Sequence, residues 1–193
     1  MIRLAFLGSI FSLSLVWAVD RVVVWDGDVE GASASGWAAP KGQSKVSKES
    51  GAGVSGGVGI RFTAHGSGWA GFGWNWAGWT KNPDGPDLKS KSNLIFKIKI
   101  TAPNRDAVPM PDAFTVQLAT SIDGKKTEKV VINEFTRTLL DGKWHELRSP
   151  LTVFLASPDV KDFPWNSVWE IDLGAYDEED VSYTVEMDDI AFE

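Results

Sequence analysis

The sequence contains no cysteine, so no disulfide can staple the fold and no thiol can carry a lipid anchor. Burial and hydrogen bonding must hold the chain together. Histidine is almost as scarce, with His65 and His145 standing alone in Ala-His-Gly-Ser and Lys-Trp-His-Glu and lacking the spacing of a metal-ligand pair. Both read as surface or capping residues. Positive charge is in deficit, 19 Lys and Arg against 26 Asp and Glu for a formal net charge of −7, which disfavours a phosphate-backbone partner. Nucleic acid is therefore a poor candidate ligand. No phosphate loop or internal repeat is found, and no stretch after residue 18 sustains a helical period.

One long apolar run exists, over residues 4–16, behind the positive start Met1-Ile2-Arg3 and ahead of the small residue Ala18. It is too short to span a bilayer comfortably and has the parts of a secretory signal peptide, residues 1–18. An uncleaved N-terminal anchor is the competing reading. Residues 19–193 are then expected as a single exported domain, secreted or periplasmic, with no further membrane span.

Short segments of period-two alternation, separated by Gly, Pro, Asn, Asp and Ser, predict strands over 21–25, 44–48, 59–64, 71–76, 93–101, 113–120, 127–133, 144–149, 167–174 and 182–193. The fold class is all-β, a two-sheet antiparallel β-sandwich or jelly roll. The clearest strand places Leu94, Phe96, Ile98 and Ile100 on one face and Lys97 and Lys99 on the other. Phe114, Val116 and Leu118 repeat that pattern, as do Trp169, Ile171 and Leu173 opposite Glu170 and Asp172. Residues 31–57, rich in Gly, Ala and Ser, read as loops between weak strands. Prolines exclude central strands from 77–92 and 102–112.

Tryptophan is the strongest compositional departure, with ten residues, nine of them after residue 18, against two tyrosines. An indole serves equally in a core or as a flat platform for a ligand with an apolar face. The densest cluster is Trp69-Ala70-Gly71-Phe72-Gly73-Trp74-Asn75-Trp76-Ala77-Gly78-Trp79. Phe72, Trp74 and Trp76 share a strand face with glycines opposite, which favours core. Trp69 and Trp79 near the ends, and Trp37 in a Ser-Gly-Trp-Ala loop, stand evenly between core and platform. Sugars expose C–H patches that stack on indole and hydroxyls that need amide partners, so Trp37, Trp69 and Trp79 with Asn75 and Gln117 form the candidate carbohydrate-binding set.

The order of Val24-Trp25-Asp26-Gly27, Gly56-Gly57-Val58-Gly59-Ile60-Arg61-Phe62, Asp141-Gly142-Lys143-Trp144-His145-Glu146-Leu147, Ser167-Val168-Trp169-Glu170-Ile171 and Val185-Glu186-Met187-Asp188-Asp189-Ile190-Ala191-Phe192 resembles galactose-binding-like β-sandwiches. It is similar to family 11 carbohydrate-binding modules and to the complex I intermediate-associated protein family. That resemblance implies a module without bond chemistry of its own that holds a polysaccharide or glycan. It also implies a structural calcium on Asp26 and Asp188 with backbone carbonyls. The residues themselves leave another reading of Asp188 and Asp189: alternation breaks there, and a β-bulge with solvated aspartates restores the register. Two further functions stay open. One is an exported interaction or assembly module whose exposed rings meet another polypeptide, and the other is a β-sandwich lyase or hydrolase, although no pair of carboxylates singles itself out.

Overall fold

The computed structural model describes residues 20–27, 32–39, 44–76, 86–107, 114–120, 127, 137–155 and 162–193. Eight strands form: β1 (Val22–Trp25), β2 (Ser33–Ala39), β3 (Ser44–Ser50), β4 (Val58–Asn75), β5 (Asn93–Thr101), β6 (Phe114–Thr120), β7 (His145–Pro150) and β8 (Val168–Phe192). All pairings are antiparallel. Short 3₁₀ turns punctuate them, and no α-helix is present among the described residues. Likewise, none of these residues belongs to a helix long and apolar enough to cross a membrane.

Two strands are far longer than the others, β4 with 18 residues and β8 with 25. They pair along their length from Ile60↔Met187 to Asn75↔Glu170, with a register break between Gly66 and Gly68. On one side of that break the order is β3-β4-β8-β5-β7, with β1 against the far end of β8; on the other it is β2-β4-β8-β6. Hydrogen bonding is thus continuous while the ladder folds over on itself. Ring contacts show the closure: Phe62 meets Phe72 at 5.2 Å between centroids, Trp25 meets Trp74 at 4.5 Å, and Tyr183 meets Phe114 at 5.4 Å. The result is a β-sandwich in which two strands switch layers at a bulged corner.

The alternation seen in the sequence builds the core. Opposed residues of an antiparallel ladder point to the same face, so Ile60, Met187 and Ile98 form one inward row and Phe62, Val185 and Ile100 the next. The second layer supplies Trp74, Ile171 and Leu118, then Phe72, Leu173 and Val116. All twelve are buried. Phe72 and Trp74 are therefore core, as their parity predicts, and Trp76 follows them inward to meet Phe192 at 6.1 Å.

Two sequence expectations change. Residues 59–64 and 71–76 were expected as separate strands, as were 167–174 and 182–193; each pair is one continuous strand, and in β4 Gly66 and Gly68 bend the backbone at the register break without ending the ladder. Residues 33–39, expected as loop, form β2, which pairs with the second half of β4. Its small residues lie against a strand carrying bulky Phe72 and Trp74, so the strand is set by its partner more than by its own propensity. The expected strand at 127–133 lies outside the described residues apart from Thr127, whose N–H donates to the Leu118 carbonyl at 2.9 Å.

The expected bulge at Asp188 and Asp189 is present. The register slips between Ile95 and Lys97 opposite β8, and Asp189 takes a left-handed φ of 51°. That single residue lets Tyr183, Val185 and Met187 face inward and Ile190 and Phe192 face inward after it.

Candidate functional site

The outward face of the second layer is a grid whose rows are fixed by the register. Trp37, Gly71, Gly174 and Thr115 form the first row; Ser35, Gly73, Asp172 and Gln117 the second; Ser33, Asn75, Glu170 and Ala119 the third. The two central strands contribute glycines and the buried polar residues Asn75, Glu170 and Asp172. Along the flanking strands, Trp37, Ser35, Thr115 and Gln117 stay at least partly exposed. Glycine leaves no side chain to fill the middle, so the face is a trough with a polar floor and an indole on one wall.

Trp37 is held flat. A β-carbon built at Gly71 would stand 2.8 Å from Cε2 and Cζ2 of the indole and 2.6 Å from the Leu173 carbonyl oxygen. Only glycine admits that approach. The residue is half-buried, so part of the ring stays open to solvent. Across the grid, Gln117 Nε2 donates to the Thr127 carbonyl at 2.5 Å, which fixes the amide and leaves its carbonyl oxygen as an acceptor.

Three of the five candidate sugar-binding residues, Trp37, Asn75 and Gln117, are brought to this one face. Trp37 stands on strand β2 and not in a loop, which corrects its expected setting. Asn75 is fully buried, so it supports the floor more than it meets a ligand. Trp69 takes its backbone place opposite Ala39 and Tyr176, while its side chain and the whole of Trp79 lie outside the described residues. Sequence reasoning missed Glu170 and Asp172 as site residues. Their signal was the alternation against Trp169, Ile171 and Leu173, which placed both carboxylates on the face opposite the core.

The two expected calcium ligands are arranged differently. Asp188 Oδ2 accepts the Val54 N–H at 2.8 Å and Oδ1 accepts the Asp189 N–H at 2.9 Å, so both carboxylate oxygens face hydrogen-bond donors. Asp189 pairs with Lys97 at 2.6 Å. Asp26 is exposed. No group of three or more His, Asp or Glu side chains gathers among the described residues, whereas calcium takes six to eight oxygens. As arranged, Asp188 ties the 51–57 turn to the last strand through the Val54 N–H. Burial raises the Asp188 carboxyl above its ordinary range, with the two backbone donors opposing that shift.

The outward face of the first layer differs in kind. Arg61 lies between Glu49 and Glu186, and Lys99 reaches Glu186 from the other side. Glu186 is buried beneath its partners, so this face is a packed charge ladder with no aromatic trough.

No family model matches the sequence, and no curated protein matches it. Solved structures do match in fold. A family 30 carbohydrate-binding module of the cellulosomal cellulase Cel9D-Cel44B of Clostridium thermocellum superposes with a TM-score of 0.63 at 14% identity, over 90% of this chain and 96% of that one. A family 11 carbohydrate-binding module from Clostridium thermocellum, solved in complex with a β-1,3-1,4-mixed-linked tetrasaccharide, gives 0.55 at 17% identity, over 91% and 96%. A β-1,2-glucanase from Parabacteroides distasonis gives 0.56 at 16% identity, where this chain covers 88% of itself but 24% of the enzyme. The chain shares the β-sandwich fold of family 11 and family 30 modules.

Proposed function

We propose that this protein is a non-catalytic carbohydrate-binding module that holds a neutral polysaccharide chain in the trough of its second layer. The observation that carries the reading is a half-exposed Trp37 close against Gly71 beside the row Ser35, Gly73, Asp172 and Gln117. A sugar ring stacks on the indole through its C–H face, and its hydroxyls meet serine, carboxylate and amide oxygens alongside. Asp172 and Glu170 on the floor make the face unfavourable for a uronate or sulfated chain. Fold likeness to modules solved with or named for carbohydrate ligands supports the reading but cannot make it, because one sandwich hosts many functions.

Hydrolysis is not supported by the same geometry. Glu170 and Asp172 are two residues apart on one strand face, roughly 7 Å by strand rise, and both lie beneath a bound chain. A glycosidase needs its two carboxyl groups on either side of the scissile bond. The test is affinity electrophoresis against mixed-linked β-glucan, xylan, mannan and galactan, with reducing ends assayed in parallel. Retardation by at least one gel without release of reducing ends is expected. Retardation by none, together with capture of a protein partner that depends on Trp37, would replace this reading with the interaction-module one. Release of reducing ends would replace it with the enzymatic one. The export signal at residues 1–18 belongs to the same proposal, since a polysaccharide ligand lies outside the cell; the intact mass of the exported protein checks it.

A further inference from the structure

At one end of the sandwich, the loop after β5 and the turn before β7 enclose a recess of about 370 Å³ lined by Pro103, Asn104, Arg105, Asp106 and Arg137. Two arginines 32 residues apart both line it. Each is fixed by the other's backbone: Arg105 Nη2 donates to the Arg137 carbonyl at 3.2 Å, and Arg137 Nη1 donates to the Arg105 carbonyl at 2.6 Å. The loop bases are anchored as well. Ala102, Leu139 and Leu140 are buried, Gly142 N–H donates to the Ile100 carbonyl at 3.1 Å, and Thr101 bridges to Asp141.

Among the described residues neither arginine forms an ion pair, although the chain carries a formal charge of −7. Two like charges on the lining of one recess attract an anion that can meet both. Each guanidinium has five N–H groups in a planar fork, and one nitrogen of each is committed to the clamp. The remaining donors suit a planar carboxylate or a tetrahedral oxyanion. The volume lies within the range of small-ligand clefts, roughly 300–1,000 Å³, and exceeds what a bare inorganic anion fills. Asn104 adds an amide for a hydroxyl.

We propose that this recess is an anion-binding site, built by the paired guanidinium groups of Arg105 and Arg137, that takes a carboxylate or sulfate group carried on a sugar unit. The site is separate from the trough, and the choice of a sugar as carrier rests on the proposed function. The ¹⁵N-labelled protein is titrated with glucuronate, with glucose and with inorganic sulfate at constant ionic strength, following the arginine Nε–H resonances. Glucuronate is expected to shift the Arg105 and Arg137 signals saturably while glucose leaves them in place. Arg105→Gln and Arg137→Gln should each weaken glucuronate binding about tenfold or more. Those variants also cut the clamp, so Asp106→Asn serves as the second arm. It leaves both carbonyl bonds in place and removes a negative charge from the lining, and it should tighten binding several-fold at low salt. Equal shifts with glucose, no saturable shift with glucuronate, or an Asp106→Asn affinity equal to the parent's would overturn the site. Saturation by sulfate alone would overturn the assignment to a sugar-borne group.

Discussion

The indole of Trp37 lies across the α-carbon of Gly71, closer than any other residue at 71 would permit: an added β-carbon would stand 2.8 Å from two ring atoms. Two substitutions separate platform from scaffold. Trp37→Ala should fold with a melting temperature near the parent's, because the ring is partly exposed, and should weaken polysaccharide binding tenfold or more, about 1.4 kcal/mol. Gly71→Ala should weaken binding too and also lower stability by roughly 1–3 kcal/mol, since the new methyl meets the Leu173 carbonyl as well as the ring. If Trp37→Ala retains the parent's affinity for every bound glycan, the trough is not the site.

The opposite pattern is expected of the inward rings. Trp25 and Trp74 are buried and their centroids are 4.5 Å apart with planes at 63°. Trp74→Ala should cost roughly 3–5 kcal/mol by leaving a cavity between the layers, seen as a drop in the denaturant midpoint. A Trp74→Ala protein as stable as the parent, with impaired glycan binding, would move that ring from core to platform.

Asp188 gives a pH signature. Its folded-state carboxyl is raised above the ordinary value of 3.8, chiefly by burial, so in the window above 3.8 the folded state holds more proton than the unfolded one. Stability contributed by this group therefore falls as pH rises through that window. Asn keeps one acceptor and cannot titrate. The melting temperature of the parent minus that of Asp188→Asn should thus shrink as pH is raised from about 4 to 7. A difference that is flat or that widens would refute the assignment.

Metal removal should leave the melting temperature unchanged. Asp188 already accepts from Val54 and Asp189 through both oxygens, and no third carboxylate joins it among the described residues. A chelator-induced drop that added calcium reverses, and that Asp26→Ala abolishes, would restore the calcium site that the family resemblance implies.

Most of the fold was legible because its information is local. Strand β5 is bounded by the alternation of Leu94, Phe96, Ile98 and Ile100 as expected, and the parity break at Asp188 gave the bulge. Strand β2 was not legible, since Ser-Ala-Ser-Gly-Trp-Ala-Ala has weak strand character and is held by the partner it meets 30 to 42 residues later, as in Ala39↔Trp69 and Ser33↔Asn75. The trough suffered the same limit. Its indole, carboxylates and amide come from β2, β8 and β6, and only the register of a folded ladder sets Trp37, Asp172 and Gln117 on adjoining rows. The arginine clamp is less legible still, as nothing in the sequence near Arg105 points to Arg137.

Strand β8 hydrogen-bonds to β1, β4, β5 and β6, and among the described strands none other joins those four: β2 and β3 pair with β4, and β7 pairs with β5. It is also the last of the eight in chain order. A ribosome that has released the chain up to residue 167 has made the other seven described strands without the one that joins them. Folding must wait for β8 and then proceed over long sequence separations, which makes it slow and cooperative. The nascent chain stays open, threadable and exposed to aggregation until that segment arrives.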